Sequence, residues 1–233
     1  SSRPAPREVG STPPFGDAVL DVVVSGSRAY VAAGTDGVHI LDVADPASPR
    51  RIGRWDSPGS AEGIAIDGTS LFVADGPGGF RVFDIAAVGN KSAAQRIISA
   101  PFSGLGNRLR VPSPDATGVA LAANNPMDLD RKARPENQEQ PIAPIFRYAF
   151  VTDSVEGLIV VDVNTFTDGD PTNNFITRAA TFNPDGALTG AQNITIAGNY
   201  AYVVSTRTGL SVIDVSQPTS PRLLAAVGPP AVV

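Results

Sequence analysis

The stretch Gly198–Val215, GNYAYVVSTRTGLSVIDV, sets a pattern that recurs three more times in this chain of 233 residues. The other copies read GSRAYVAAGTDGVHILDV (26–43), GTSLFVADGPGGFRVFDI (68–85) and RYAFVTDSVEGLIVVDV (147–163). In each copy an aromatic residue precedes valine, and after a turn a glycine opens an apolar run that closes on aspartate. The closing aspartates, spaced 42, 78 and 52 residues apart, are Asp42, Asp84, Asp162 and Asp214. A period near 42 with two insertions explains this spacing, so an internal repeat organises the chain.

Each repeat unit divides into four predicted strands. The first ends at the glycine that opens the copy in the first, second and fourth units, the second carries the aromatic residue and valine, and the third is the apolar run. A fourth strand follows a Pro-Arg pair such as Pro49-Arg50. Four antiparallel strands in about 40 residues are typical of a β-propeller blade, and a third strand that is apolar on both faces indicates a blade on either side. We therefore predict an all-β fold, a β-propeller of four-stranded antiparallel blades with four units visible.

We expect one propeller region over residues 1–233, with units at about 18–53, 60–102, 115–182 and 190–228. Residues 6–10 resemble a fourth strand, so we expect them to be the last strand of a preceding unit. The four units are then expected to be part of a larger ring, continued in further sequence or completed by a partner; a closed ring of four is the alternative. The first residue is not Met, which fits either a removed signal peptide or a segment of a longer chain.

A polar segment at about 122–145 interrupts the third unit between its first and second strands. It combines repeated prolines, mixed charges and a polar run, and contains no apolar pattern of its own. Such a composition is typical of a surface loop. A binding role and an unstructured loop are both open for this insertion.

Composition excludes several classes of protein. A net charge of -5 argues against a nucleic-acid groove, and no apolar run approaches the roughly 20 residues that a membrane helix needs, so we expect no nucleic acid and no membrane insertion. The chain has no cysteine and a single histidine, His39, which excludes thiolate or His-rich metal sites, Cys nucleophiles and covalent haem attachment. We therefore expect no cofactor, with calcium the one candidate.

The repeat residues carry a family resemblance. Tyr200-Ala-Tyr-Val-Val, the stretch Gly209–Pro221 (GLSVIDVSQPTSP) and the stretch Leu41–Pro49 (LDVADPASP) resemble the LVIVD repeat of bacterial and archaeal surface propellers. The second and third copies depart from it because they lack the full Pro-x-x-Pro. The resemblance covers most of residues 6–228. It implies a propeller fold and a secreted or cell-surface location, and it specifies activity poorly.

Two groups of residues are candidate ligand sites. The starts of first strands line the channel of a propeller, so the polar residues there form a candidate channel mouth: Asp21, Glu62, Gln192 and Asn193. The alternative is a hydrated channel without ligand. A second group, Asp168, Asp170 and Asn173, lies in a glycine-containing loop and offers the hard oxygen ligands that calcium takes, although the bidentate glutamate of an EF-hand loop is missing.

Two further observations have structural interpretations. The closing aspartates Asp42, Asp84, Asp162 and Asp214 each end a strand, where a carboxylate accepts backbone N–H groups of the next turn. His39 occupies the repeat position that also holds Arg81, Ile159 and Ser211. We expect that position to be a partly exposed strand start, and no Gly-x-Ser-x-Gly nucleophile elbow accompanies the histidine.

Together these observations favour a non-catalytic, secreted or cell-surface module that binds a protein partner or acts as a scaffold in a larger extracellular or envelope assembly. The alternative is a ligand-binding or enzymatic propeller whose site is completed by blades or chains outside this sequence. A third hypothesis is a scaffold docked to a larger assembly. That assembly would carry its own redox cofactors, because this chain has one histidine and no cysteine to bind them.

Overall fold

The computed structural model describes residues 5–85, 109–122, 144–166 and 174–228. Within these ranges sixteen strands form four antiparallel sheets, each in the simple order first-second-third-fourth. The prediction of an all-β protein with four-stranded antiparallel blades is confirmed. Three short 3-10 helices lie entirely in the same ranges, at Pro144–Arg147, Asn164–Phe166 and Pro184–Gly186, and none is long or apolar enough to cross a membrane.

The strands are named in chain order, four to a blade. Blade 1 contains β1 (Asp21–Ser25), β2 (Arg28–Ala32), β3 (Val38–Asp42) and β4 (Arg50–Trp55). Blade 2 contains β5 (Gly63–Asp67), β6 (Ser70–Ala74), β7 (Phe80–Asp84) and β8 (Arg110–Val111). Blade 3 contains β9 (Ala116–Leu121), β10 (Tyr148–Asp153), β11 (Gly157–Asp162) and β12 (Thr177–Phe182). Blade 4 contains β13 (Ala191–Ala197), β14 (Tyr200–Ser205), β15 (Gly209–Asp214) and β16 (Arg222–Val227).

Tight turns join the first and second strands of blades 1, 2 and 4, and the turn glycines make them. At Gly26 and Gly198 the backbone angle φ is 59° and 58°, a left-handed conformation that residues with a Cβ rarely adopt. Nothing lies within 4 Å of the place where a Cβ would be. The requirement for glycine is therefore one of backbone conformation alone, and it explains why the glycine opens repeat after repeat.

The core lies between the blades, because each sheet is apolar on both faces. Three clusters of buried side chains join blade 1 to blade 2, blade 2 to blade 3 and blade 3 to blade 4. The third strand is the clearest case, since every residue of β11 except its closing Asp162 is buried. The sequence prediction that third strands are covered on both sides agrees with this packing.

The first described residues of the chain pack on blade 1 without joining a sheet. Residues 6–10 belong to none of the strands, and Gly10 lies against the backbone of Pro46 and Ala47. They are part of an N-terminal arm, residues 5–20, that runs over blade 1. That they form the last strand of a preceding unit stays a prediction, because no such unit is among the described residues.

Two expected segments fall partly outside the described residues. The fourth strand of blade 2, Arg110–Val111, lies beyond the 60–102 range expected for that unit. Of the insertion at about 122–145, only its two ends are described: Ala122 and Ile145 are both buried in the cluster between blades 3 and 4. The structure therefore anchors both ends of the insertion in the core, and residues 123–143 lie outside the described part.

Candidate functional site

The first strands of the four blades line the inside of the array, and the ends at which they begin surround one cavity. Backbone hydrogen bonds hold the rim: Gly34 pairs with Ala61 and Gly76 with Ala116, each across two neighbouring blades. The cavity has a volume of about 440 Å³. Its lining is Leu20, Asp21, Glu62, Gly63, Asp115, Thr117, Gly118, Ser154, Gly190, Ala191, Gln192, Asn193 and Thr206. We call this cavity the channel mouth.

All four residues singled out from the sequence as channel-mouth candidates line this cavity. Asp21 comes from blade 1, Glu62 from blade 2, and Gln192 and Asn193 from blade 4. Positions far apart in the chain are thus brought together because equivalent residues of each repeat occupy equivalent places around the channel. That geometry makes a shared site, and whether it takes a ligand stays a prediction.

Two of these side chains are oriented by the backbone. Asp21 accepts hydrogen bonds through Oδ2 from Ile64 N (2.9 Å), which ties blade 1 to blade 2, and through Oδ1 from Val22 N (2.7 Å). Asn193 accepts a bond from Ile194 N at 2.7 Å, in the same local arrangement. Both side chains are therefore held in place at the rim by the backbone, with both oxygens of Asp21 engaged.

Glu62 and Asp115 form the acidic centre of the channel mouth. Burial raises the pKa of Glu62, and the negative charge of Asp115 raises this pKa further. Asp115 is itself fixed, because its backbone N–H donates to Asp153 Oδ2 at 2.8 Å and its Oδ2 accepts a bond from the Ser154 hydroxyl. The charge of Asp115 thus disfavours the ionised form of Glu62, which a nearby cation or hydrogen-bond donor would stabilise.

Asp115 was missed in the sequence analysis. It precedes β9, two positions before Thr117, whereas the expected lining was sought at the residues aligned with Glu62 and Gly63. The sequence feature that could have identified Asp115 is an aspartate in the segment directly before a first strand. Only the fold shows that this segment also forms part of the rim.

Close packing of the inner strands shapes the floor of the cavity. A Cβ on Gly63 would lie 2.7 Å from the Gly118 Cα, and a Cβ on Gly118 would lie 2.8 Å from Thr152 Oγ1. Thr117 donates from Oγ1 to Ala191 O at 2.9 Å, which links blade 3 to blade 4. Glycine at these two positions allows the blades to approach and keeps the channel narrow below the mouth.

The lining described for the channel mouth contains carboxylates, hydroxyls and amides, and contains no lysine, arginine or histidine. Chemically it can accept hydrogen bonds from a cationic or hydroxylated group. Over the described ranges, no group of three or more His, Asp or Glu side chains is placed to hold a metal ion. The calcium candidates Asp168, Asp170 and Asn173 lie at 167–173, outside the described residues.

His39 lies away from the channel mouth, and the expectation that it is partly exposed was wrong. Its side chain is fully buried on blade 1, with Nε2 2.8 Å from Asp36 Oδ2 and its ring 4.9 Å from the ring of Phe15. Burial lowers the pKa of His39. The repeat position faces a neighbouring surface, since Ile159 and Ser211 are buried there too, and the N-terminal arm provides that surface at blade 1.

An ion pair lies buried beside the channel mouth. Asp75 is fully buried at the end of β6, and the Nε atom of Arg81 lies 3.1 Å from its Oδ2. In blade 3 the equivalent Asp153 accepts bonds from Val155 N and Glu156 N of the following turn. Blade 2 has Pro77 in that turn, which has no N–H, so the arginine provides the compensating group instead.

The closing aspartates contact the following turns. Backbone N–H groups two residues on donate to Asp42 (from Ala44, 3.0 Å), Asp162 (from Asn164, 2.9 Å) and Asp214 (from Ser216, 2.9 Å). The sequence analysis missed a second partner: Arg50 and Arg222, each eight residues after the aspartate, reach its other oxygen at 3.0 and 2.6 Å. The signal was present, because both arginines follow the proline that precedes the fourth strand. Asp84 also has an interaction partner in the structure.

Replacing Asp214 by alanine is expected to destabilise the protein by about 1–3 kcal/mol, because the Ser216 N–H and Arg222 lose their acceptor. The hydrogen bonds from Ser216 and Arg222 lower the pKa of Asp214 to about 2, from an ordinary value of 3.8. This stabilisation is therefore present above the ordinary pKa and lost as the pH falls through about 2. Urea unfolding at neutral pH tests the size of the effect. An Asp214→Asn variant keeps an acceptor for Ser216, and an unfolding midpoint unchanged in Asp214→Ala would contradict the assignment.

Comparison with known proteins agrees with the fold. The chain is similar to the designed Ika8 protein (TM-score 0.52, 9% identity, 88% of this chain and 47% of that one) and to the designed Ika4 protein (0.50, 10%, 96% and 100%). It is also similar to the β-propeller domain of Cps50 (Swd1) from Myceliophteria thermophila (0.54, 12%, 88% and 57%). The chain thus spans about half the length of two of these three structures. At such identities the likeness shows the fold alone.

The sequence itself gives the family. No curated protein of similar sequence was found. The LVIVD repeat matches four segments, residues 16–57, 58–95, 147–173 and 190–227, which together make up more than half of the chain and correspond to the four blades. The resemblance seen in the stretches around Leu41–Pro49 and Gly209–Pro221 is therefore confirmed. The chain belongs to the LVIVD repeat family and folds as a β-propeller.

Proposed function

We propose that this protein is a non-catalytic interaction module that binds a protein partner at the channel mouth, through a lysine or arginine side chain of that partner. The observation that supports the proposal is the lining of the cavity. It carries three carboxylates, Asp21, Glu62 and Asp115, with no cationic side chain among the described lining residues. Burial, and after it the charge of Asp115, raises the pKa of Glu62, and a cation entering the mouth would oppose both effects.

The proposal includes a secreted or cell-surface location and a scaffold role in a larger assembly, one that carries its own redox cofactors where such chemistry is needed. The LVIVD family and the acidic net charge of -5 are compatible with it. The lone His39 is fully buried on blade 1 and lines no part of the channel mouth, which favours binding over acid-base catalysis there. Fractionation of the native cells, followed by detection of the protein outside the cytoplasm, tests the location.

A cationic peptide is the direct probe of the channel mouth. Tetra-arginine and tetra-lysine peptides are expected to bind the wild-type chain at low ionic strength, measured by isothermal titration calorimetry. Glu62→Gln is expected to weaken binding about tenfold, because one of the carboxylates facing the cation is neutralised. Binding is also expected to weaken on acidification, as the ionised form of Glu62 is the one that binds. A tetra-glutamate peptide is expected not to bind.

The matched control is Asp67→Asn. Glu62 directly precedes β5 and Asp67 ends it, so this variant removes the same charge from an exposed position at the other end of the strand. Equal weakening in Glu62→Gln and Asp67→Asn would show general charge attraction and would contradict a site at the channel mouth. Binding of a neutral polyol or sugar that is unaffected by Glu62→Gln would instead favour the alternative of a ligand-binding propeller.

A further inference from the structure

Large exposed apolar side chains are concentrated at the two ends of the array. Ten of the thirteen in the described residues belong to the N-terminal arm, blade 1 or blade 4, and three to the region between them. On blade 4 they are Tyr200, Val204, Leu210, Leu224 and Val227, and in the arm and blade 1 they are Val9, Val19, Leu20, Val22 and Val24. Apolar exposure confined in this way indicates contact surfaces rather than scattered surface residues.

The exposed face of blade 4 is the face that every earlier blade buries against its successor. We call this the forward face, defined in blade 3 by Phe150, Leu158 and Val160, which are completely buried against blade 4. Equivalent residues of blades 1 and 2 are at most 2% exposed: Tyr30, Val38 and Ile40, and Phe72, Phe80 and Val82. The repeat alignment places Tyr202, Leu210 and Val212 at the same positions of blade 4, where Leu210 is 40% exposed.

Blade 1 leaves open part of the opposite face, which we call the rear face. In blade 2 the first-strand residues Ile64 and Ile66 pack on the forward face of blade 1 and are 5% and 9% exposed. Their equivalents on blade 1, Val22 and Val24, are 55% and 62% exposed. The first strand of blade 1 therefore leaves open, at Val22 and Val24, the positions through which blade 2 packs on its neighbour.

The N-terminal arm covers the outer part of the rear face and leaves β1 open. Phe15 packs against the cluster of Ala29, Val31 and Leu41 and lies 4.6 Å from the Arg51 guanidinium carbon. Gly16 N donates to Asp36 Oδ2 at 2.7 Å, which fixes the arm in place. Because the arm stops short of Val22 and Val24, the first strand remains available to another sheet.

We propose that the forward face of blade 4 binds the rear face of blade 1 in a second copy of this chain, so that copies associate head to tail. On the forward side this interface uses the repeat positions that join the blades within the chain three times, and on the rear side it uses the open first strand β1 beside the N-terminal arm. The two faces of one chain are both exposed, so they do not cover each other. A second copy offers an apolar surface to each of the two open faces, and such a head-to-tail interface closes into a ring or extends into a filament. The proposal goes beyond the channel-mouth function and does not depend on it.

The test is the native mass of the whole chain, measured by non-denaturing mass spectrometry and by light scattering over a range of concentrations. The wild type is expected to show multiples of 24.0 kDa. Leu210→Lys on the forward face and Val24→Lys on the rear face are each expected to raise the dissociation constant about a hundredfold, since each places a charge in an apolar interface. Val155→Lys, at an equally exposed apolar position of blade 3, is the matched control and is expected to leave the mass unchanged.

Mixing the two variants gives the sharpest outcome. Leu210→Lys retains an intact rear face and Val24→Lys an intact forward face, so a mixture is expected to form a heterodimer through one wild-type interface. A wild-type mass of 24.0 kDa at every concentration would overturn the proposal. Loss of association in Leu210→Lys but not in Val24→Lys would also overturn it, in favour of pairing between two forward faces. Since both positions are exposed, circular dichroism is expected to show folded variants, and Glu62→Gln is expected to leave the mass unchanged.

Discussion

Leu158→Ala is expected to destabilise the protein by about 2–5 kcal/mol, whereas Leu210→Ala is expected to cost less than about 1 kcal/mol. The two leucines follow the glycine at the same position of the repeat, in blades 3 and 4. Leu158 is fully buried against blade 4, and Leu210 is 40% exposed. Truncating the first removes apolar contacts and leaves a cavity between two sheets, and truncating the second removes surface already in contact with water.

Urea unfolding followed by tryptophan fluorescence measures this difference, and Trp55 is the chain's single tryptophan. The experiment is made at a protein concentration low enough for the chain to be monomeric, so that self-association does not contribute. Equal losses for Leu158→Ala and Leu210→Ala would mean that the forward face of blade 4 is covered in the isolated chain. That result would contradict the packing described for the last blade.

Arg81→Met is expected to destabilise the protein by about 3–5 kcal/mol at neutral pH, because it leaves the Asp75 carboxylate buried without its compensating charge. The position itself tolerates an apolar side chain, since blade 3 has the buried Ile159 there. The loss of stability therefore measures the cost of leaving the Asp75 carboxylate without its ion-pair partner, and not a change in packing. Replacement of both partners, Asp75→Ala with Arg81→Met, is expected to recover most of the stability; blade 1 already has Ala33 at the position of Asp75.

The effect of Arg81→Met depends on pH in a defined direction. Burial raises the pKa of Asp75 to about 6 from an ordinary 3.8, while the charge of Arg81 acts against this rise. The folded state thus holds the proton more tightly than the unfolded chain, and the contribution of this group to stability falls as the pH rises from about 4 to about 6. Without Arg81 the pKa is expected to rise further, so the loss in the variant is largest above neutral pH and smallest in mild acid.

Unfolding midpoints at several pH values check the sign, with Arg54→Met as the control. Arg54 also pairs with an aspartate, Asp36, at 3.0 Å, but its side chain is 46% exposed, and an exposed pair contributes about 0–1 kcal/mol. A loss in Arg81→Met that grows on acidification would contradict the assignment of a charged Asp75 to the interior.

The parts of the fold that could be predicted are those in which the sequence pattern acts locally. Three local features indicated the strands: a glycine at the β-turn, runs of apolar residues and a third strand apolar on both faces. The four-stranded blades and the order of their strands could be predicted from these features. The channel-mouth positions Asp21 and Glu62 followed as well, because equivalent residues of a repeat occupy equivalent places. Arg50 and Arg222 as partners of the closing aspartates escaped prediction because a salt bridge depends on the register between two strands.

Other features depend on contacts between residues far apart in the chain. The burial of His39 results from Phe15 and the rest of the arm, which no repeat pattern encodes. Asp115 joins Glu62 only because blades 2 and 3 stand side by side. The Pro-Arg pattern at 6–10 forms no strand with the described residues, because a strand also needs a partner strand beside it.

The repeat and its four-stranded blades can be deduced from the chain alone, because hydrophobic periodicity and turn chemistry are properties of neighbouring residues. The role of each repeat position depends on the packing of one blade against another. Leu158 and Leu210 have the same side chain in the same local setting, yet one is a core residue and the other lies on an open face. Burial depends on the sheet that packs against a face. A repeat sequence makes both faces of its own blade apolar, but it does not specify which surface covers the face of blade 4.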